Sequence, residues 1–338
     1  KYQYLSKQDR AFMTRLVDGT IEYMLQLDYI IDSFSKTKVR KMKPFIRNLL
    51  RMSVYQIKYM DAVPDSAVCN EAVKLAKRHK FAQLSGFVNG VLRNIARNID
   101  SVQLDTLSIR YSMPQWIVDR FVAAYGEKKA EEIFKAFHSK STISIRTNLT
   151  RCTPDELRAM LEAEGVTVTA VDELNYAFVI SGFDYLNGLQ SFRDGLFYVQ
   201  DISSMLVAQT AAPKKGDYVI DVCAAPGGKS THIAELLQGS GHVLARDLTD
   251  NKVDMIEENI ERHGLNNMSA EVWDATVPDV DSAGKADILI CDLPCSGLGV
   301  LGRKKDIRYK MTPESVDELA ALQRQILDTV HTYVKPNG

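Results

Sequence analysis

The sequence predicts a multidomain protein: an all-α bundle at the N-terminus, a small α+β domain in the middle, and an α/β Rossmann-like domain at the end. Three observations predict it. Apolar residues recur at helical spacing through 6–97. Short alternating segments between 141 and 180 surround one capped helix. From Tyr218 onward, short apolar strands alternate with helices, the pattern of a parallel, doubly wound sheet. At 338 residues the chain is long enough for two or three domains, expected here at 1–100, 101–190 and 191–338.

In the first segment, Ser6 and Asp9 cap a helix carrying Phe12, Leu16, Ile21, Met24 and Leu25. Pro44 sits in the first turn of a helix through Ile46, Leu49, Leu50, Val54 and Ile57. Pro64 opens another, with Val68, Ala72, Leu75 and Ala76 on one face, and Phe87, Val91, Leu92 and Ile95 mark the last. In the middle segment, 141–148 alternates as a strand. Thr153 and Pro154 start a helix that runs through Leu161 and stops at Gly165, and 166–171 and 177–180 are further strands. In the last segment, strands are expected at 218–223, 242–247, 270–273 and 286–292, with helices at 229–237 and 250–263. Ligands of such sheets bind at the carboxyl ends of the strands.

The composition, 45% hydrophobic and 25% charged, is that of a globular protein. No run approaches the ~18 apolar residues of a membrane span, and Lys1 to Arg10 lack the apolar core of a signal peptide. Five cysteines, Cys69, Cys152, Cys223, Cys291 and Cys295, include no C-x-x-C pair. They indicate free thiols in the cytoplasm, without disulfides or structural metal. The net charge of -1 hides an asymmetry. Residues 1–150 hold 25 Lys+Arg against 14 Asp+Glu, and the remainder hold 17 against 29. A basic module facing a polyanion and a basic bundle neutralising an acidic neighbour both produce this balance. The densest basic stretch is Lys36, Lys38, Arg40, Lys41, Lys43, Arg47 and Arg51. It is either a solvated face or a phosphate-contacting one, with Phe34 and Phe45 either in the core or stacking on bases.

Two motifs carry chemistry. The first, Asp221-Val-Cys-Ala-Ala-Pro-Gly-Gly-Lys229, follows a strand and opens a helix. Small residues there let backbone N–H groups approach an anionic part of a ligand. Gly228-Lys229-Ser230 also matches the end of a P-loop, but Cys223 stands where that pattern needs its first glycine. Asp247 ends the second strand, where a carboxylate can accept ribose hydroxyls, and Asp274 follows the third, within reach of an adenine amino group. Each alone is equally a helix cap or a surface carboxylate. The second motif, Asp292-Leu-Pro-Cys-Ser-Gly297, sets Cys295 beside a carboxylate. Carbon methylation of a pyrimidine needs that pair: a thiolate adds at C6, a group at N3 stabilises the adduct, and a base removes the C5 proton. The target base must first be flipped from its stack. Cys291, inside an apolar strand, reads as core.

These motifs resemble the RNA (cytosine-C5) methyltransferases, specifically the bacterial 16S rRNA enzymes of the RsmB/Sun family, over essentially the whole chain. Ala62-Val-Pro-Asp-Ser66, Glu71-Ala-Val-Lys-Leu-Ala-Lys77 and Gly86-Phe-Val-Asn-Gly-Val-Leu-Arg93 resemble the NusB-like RNA-binding domain fused to that family. Phe197-Tyr-Val-Gln-Asp-Ile-Ser-Ser-Met205 resembles its entry segment into the catalytic domain. The resemblance implies S-adenosyl-L-methionine as cofactor and 16S rRNA as partner. It implies a cofactor site lined by Cys223, Ala224, Ala225, Pro226, Gly227, Gly228, Lys229, Asp247, Asp274 and Asp292, with Cys295, Asp292 and Lys229 catalytic. In such RNA enzymes the nucleophile is a second cysteine in a Thr-Cys motif on the next strand, and the Pro-Cys residue assists adduct breakdown. Val334-Lys-Pro-Asn-Gly338 resembles the turn before that strand, so the expectation is a domain incomplete at its C-terminus, with a hydrophobic edge exposed at 286–292. Gly302-Arg-Lys-Lys-Asp-Ile-Arg308 resembles the loop after Pro-Cys, with Lys305 where a proline is common. Its cations either contact RNA phosphate or form a solvated turn. Two other classes stay open: a P-loop NTPase and a non-catalytic RNA-binding or assembly protein.

Overall fold

The computed structural model describes residues 4–139, 142–336 and 338. Lys1, Tyr2 and Gln3 of the N-terminal reading, Ser141 of the expected 141–148 strand and Asn337 of the C-terminal turn lie outside them. The chain divides into two compact units, Lys1–Lys140 with Gly297–Pro313, and Ser141–Ser296 with Glu314–Gly338.

The first unit begins with five helices: α1 (Lys7–Glu22), α2 (Met24–Phe34), α3 (Pro44–Tyr59), α4 (Asp65–Arg78) and α5 (Ser85–Asn98). Ser6 caps α1 by accepting the Asp9 N–H at 3.1 Å, and Pro44 starts α3. A break at Tyr23 separates α1 from α2, so Met24 and Leu25 open a new helix instead of extending the first. Leu27, Ile30 and Ile31 of α2 meet Ile46, Leu50 and Val54 of α3, Ala76 of α4 and Leu92 and Ile95 of α5 in one core. Each fully buried Leu or Ile there contributes about 1.5–3 kcal/mol. Phe34 and Phe45 pack against this core, and Phe45 stacks on Phe81 at 5.2 Å. They serve the core.

Beyond residue 101 the structure is more helical than the sequence pattern suggested. Three further helices, α6 (Leu107–Arg110), α7 (Gln115–Tyr125) and α8 (Glu127–Phe137), belong to the first unit. Ile117, Val118, Ala130 and Phe134 are buried at helical spacing. The surrounding Glu/Lys run masked this stripe.

The second unit opens with an antiparallel sheet in the order β2-β3-β1-β4, made of β1 (Ile143–Thr147), β2 (Thr167–Val171), β3 (Leu174–Ser181) and β4 (Phe197–Val199). The intervening α9 (Pro154–Ala163) starts in a capping box between Thr153 and Glu156 and buries Leu157 and Leu161 on the sheet. After α10 (Gln190–Arg193) and α11 (Ile202–Ala211) comes the parallel sheet, in the order β7-β6-β5-β8. Its strands are β5 (Tyr218–Asp221), β6 (His242–Asp247), β7 (Met268–Val272) and β8 (Ile288–Ile290), linked by α12 (Gly228–Leu236) and α13 (Asp250–His263). Val219, Val243 and Ala245 face Ile233 and Ile256 of these helices. Ile220 and Val222 face Ile326 and Val330 of α15 (Pro313–Val330). Burial on both faces explains why the strands read as continuous apolar runs.

β8 is shorter than expected. Ala286 forms only an isolated parallel bridge to Val334, while the Asp287 carboxylate takes the Tyr218 N–H at 2.8 Å and Lys335 Nζ at 2.7 Å. β8 is the edge strand of this sheet, and its Ile288 and Leu289 are half-buried.

Between β8 and α15 the segment Gly297–Pro313, with α14 (Ile307–Lys310), belongs to the helical unit. Arg308 is fully buried and donates to the carbonyls of Leu301 at 3.1 Å and of Glu22 and Ser112 at 3.4 Å. Lys305 Nζ lies 2.6 Å from the Glu22 carboxylate, which also meets His138 Nδ1 at 3.1 Å. Burial works to raise the Glu22 carboxyl, but the bonds from His138 and Lys305 outweigh it and hold the group below the usual carboxylate range. Lys305 and Arg308 are thus internal ties, not phosphate contacts or solvated charges. Arg308→Ala strands several buried carbonyls and is expected to cost on the order of 3 kcal/mol. Thermal unfolding followed by helical circular dichroism should show the loss, with partial recovery in Arg308→Lys.

Candidate active site

The carboxyl ends of β5, β6 and β8 converge on the loop that precedes α12. β5 ends at Asp221, which is 1% exposed. Its Oδ2 accepts the Ser230 hydroxyl at 2.5 Å and its Oδ1 the Cys223 N–H at 3.4 Å. Burial pushes the Asp221 carboxyl up to about 6, against the pull of Ser230. The loop then folds on its own backbone. Ala224 N–H reaches Arg246 O at 2.8 Å and Gly227 N–H reaches Ala224 O at 2.6 Å. Gly227 sits at φ +99°, a left-handed conformation that favours glycine. The Ala225–Pro226 peptide is cis.

Asp247, at the end of β6, is 4% exposed. Its carboxylate accepts the N–H groups of Ala225 at 3.0 Å and Leu248 at 2.8 Å, and Lys252 Nζ at 2.7 Å. It therefore ties the loop to the second strand and keeps only part of its acceptor capacity for a ligand. Asp274 is exposed and holds a turn, accepting the Thr276 N–H at 2.9 Å and hydroxyl at 2.7 Å, bonds that keep its carboxyl below the usual range. Lys229, from the first turn of α12, forms an ion pair with Asp292 just beyond β8. Cys295 is exposed, and the Pro294 carbonyl beside it takes a 2.8 Å bond from Gln323 of α15. Burial pushes the thiols of Cys223 to about 12 and of Cys291 to about 11, so both stay protonated at neutral pH.

A cavity of about 170 Å³ is lined by Cys223, Ala224, Ala225, Pro226, Gly228, Lys229 and Asp292, with Asp221 beneath them. Tyr198, Gln200, Asp201 and Ser204, none of which the sequence patterns singled out as site residues, complete its wall. A wider cleft of about 550 Å³ shares Lys229 and Asp292 with it and runs between α11 and β8. Gly227, Asp247, Asp274 and Cys295 do not line either cavity. The P-loop reading loses its two polar groups here: the Lys229 ammonium is paired with Asp292, and the Ser230 hydroxyl is buried against Asp221. Among the described residues no cluster of three His, Cys, Asp or Glu side chains could hold a metal ion, and no helix is long and apolar enough to cross a membrane.

The raised Asp221 carboxyl has a definite sign in stability. Between the ordinary value of 3.8 and about 6 the folded state binds more protons than the unfolded one, so stability falls as pH rises through that window. Asp221→Asn keeps an acceptor for Ser230 and removes this penalty. Its melting temperature should exceed that of the parent at pH 7, and the difference should vanish below pH 4, where the parent carboxyl is already protonated.

Comparison with known proteins matches three family models in chain order. The NusB family matches 1–97, the RsmF/B-like ferredoxin-like domain 113–183, and the 16S rRNA methyltransferase RsmB/F model 208–338. The "probable ribosomal RNA small subunit methyltransferase B" of Bacillus subtilis is 37% identical over all of this chain and 77% of its own length. The ribosomal RNA small subunit methyltransferase B of Proteus mirabilis is 31% identical, over 99% of this chain and 79% of its own. The solved structure of PH0851 superposes with a TM-score of 0.83 at 23% identity, covering 96% of this chain and 75% of that one. NSun6 of Pyrococcus horikoshii, solved with the S-adenosylmethionine analogue SFG, shares the fold with a TM-score of 0.60 at 23% identity, over 67% and 81% of the two chains. The loop–carboxylate site sits on the fold these proteins share, and the chain belongs to the RsmB/F family of S-adenosylmethionine-dependent rRNA methyltransferases.

Proposed function

We propose that the protein methylates C5 of a cytosine in 16S rRNA through a cysteine–C6 adduct, with Lys229, Asp292 and Cys295 as its catalytic residues. The ion pair of Lys229 with Asp292, at the mouth of the cofactor loop, carries this reading. Small residues from 223 to 228 suit a loop that presents backbone N–H groups to S-adenosyl-L-methionine, which supplies an electrophilic methyl group when bound. Asp247 and Asp274 complete the cofactor site with the acceptor positions their present bonds leave open.

Asp292, 59% exposed on its side chain, faces the substrate side and hydrogen-bonds the cytosine at N3. Lys229 orients that carboxylate and offsets its charge. Of the five cysteines only Cys295 is exposed. Burial raises the other four thiols and keeps them protonated. Cys295 is therefore the thiol of this chain that works at the flipped base. In this family's manner it acts when the adduct breaks down, and the adduct itself is formed by the Thr-Cys cysteine that the family carries on its next strand. The division of labour follows 1–100 as an RNA-binding domain, 101–190 as linker and small domain, and 191–338 as the methyltransferase domain, in the cytoplasm, where free thiols persist.

RNA contact falls to the exposed Lys36, Arg40, Lys41 and Lys43 of the helical unit. Arg51 is withdrawn from that role by its fork on Asp28, with both bonds at 2.6 Å. Replacing Arg40, Lys41 and Lys43 together by Ala should flatten the slope of log affinity against log salt by about 3 for a 16S rRNA fragment. An unchanged slope removes that face from the interface.

The reaction itself is tested with labelled S-adenosylmethionine, unmodified 16S rRNA and Cys295→Ala. A stable protein–RNA adduct in the variant assigns Cys295 to adduct breakdown. Loss of transfer without an adduct assigns it as the nucleophile. Transfer equal to the parent, with no adduct, removes Cys295 from the mechanism.

A further inference from the structure

We infer that the small antiparallel sheet is a working part of the cofactor site, with Arg146 of β1 and Tyr198 of β4 acting as positioning residues for the loop at 224–228. The inference rests on the cofactor reading of that loop. Two of the loop's carbonyls are held from outside the parallel sheet. The Tyr198 hydroxyl donates to Pro226 O at 3.1 Å, and Asn259 of α13 donates to the same oxygen at 2.9 Å. Arg146 Nη1 donates to Gly228 O at 3.1 Å and to Gln200 Oε1 at 2.8 Å.

The two holders support one another. The Arg146 guanidinium lies 5.5 Å from the centre of the Tyr198 ring, and the two residues are 1% and 6% exposed. Nη2 of Arg146 is fixed on Glu235 at 2.8 Å. The guanidinium is held through its two Nη groups, which reach Gln200, Gly228, Thr231 and Glu235 while Nε has no partner. Three of those four acceptors belong to α12, which the loop opens. The bare backbone at Gly228 lets the Tyr198 ring come close to the loop. A Cβ there would lie 3.2 Å from Tyr198 Cε1, so a side chain would push the ring away from the loop.

Pro226 and Gly228 flank Gly227, whose left-handed conformation turns the chain into α12. Fixing the carbonyls on either side of that turn fixes the direction of the N–H groups on the ligand side. Ligand affinity depends on such placement at sub-ångström scale. Tyr198→Phe removes one loop bond while keeping the ring against Gly228. Arg146→Lys keeps the charge for Glu235 but cannot serve Gly228 and Gln200 together.

The test is calorimetric binding of S-adenosylhomocysteine to the full chain and to Tyr198→Phe, Arg146→Lys and Asp247→Ala, alongside melting temperatures and amide exchange at 225–229. We expect Tyr198→Phe to weaken binding about tenfold, to speed exchange in the loop but not in β6, and to leave the melting temperature unchanged. Arg146→Lys should weaken binding in the same direction; if it also melts earlier, Tyr198→Phe decides. Parent-like binding and loop exchange in Tyr198→Phe, with Asp247→Ala impaired, overturns the positioning role and leaves the cofactor reading intact. Parent-like binding in Asp247→Ala overturns the cofactor reading of the loop, and this inference with it.

Discussion

Arg146 is the buried charge on which the second unit depends. An unpaired guanidinium inside a protein costs several kcal/mol, so its neighbours have to be arranged around it. Glu235 supplies the counter-charge at 2.8 Å, and Gln200, Gly228 and Thr231 supply further acceptors. Arg146 itself lies on β1 and its partners come from the segment after β4 and from α12, so one side chain sets the small sheet against α12. The local histidines do not add to the charge. Burial lowers the imidazole of His232 to about 2, and burial also lowers that of His263 despite its contact with Glu235. No imidazole protonation near neutral pH therefore competes for Glu235, and a second buried guanidinium, Arg246, is paired separately with Asp279 and Glu271.

How much of this was legible depended on whether the signal was local. Ser6, Pro44 and the Thr153–Glu156 capping box mark helix starts because capping is settled within four residues. The parallel strands announced themselves because both faces are buried. The break at Tyr23 and the α7–α8 pair were not legible. In the first, helical periodicity continues across the interruption. In the second, charged residues outnumber the few buried ones. β1 misleads in the opposite way. Its alternation presents Ser144 and Arg146 as a solvent face, yet both are buried, because a second layer covers the side that sequence alone leaves open.

The same distinction runs through the site. Residues 221–229 and 292–297 are contiguous motifs, so their types and spacing could be read directly. The engagement of each carboxylate could not. Asp247 is committed to Ala225, Leu248 and Lys252, and Asp274 to Thr276, contacts that a strand-end position does not reveal. Tyr198 and Asn259 reach Pro226 across 28 and 33 residues, and no periodicity marks either of them as belonging to the site.

The Pro-Cys segment combines fixed flanks with an open centre. Upstream, Lys229 pairs with Asp292 and Gln323 holds the Pro294 carbonyl. Downstream, the chain passes at Gly297 into the segment that Arg308 and Lys305 bind to the helical unit. Gly297 adopts φ +68°, the left-handed conformation that favours glycine at this turn. Between these anchors Cys295 is exposed. Cys291, four residues earlier, is half-buried on the cleft between α11 and β8, and desolvation keeps its thiol protonated. Anchors on both sides thus leave the Cys295 sulfur accessible in a defined position.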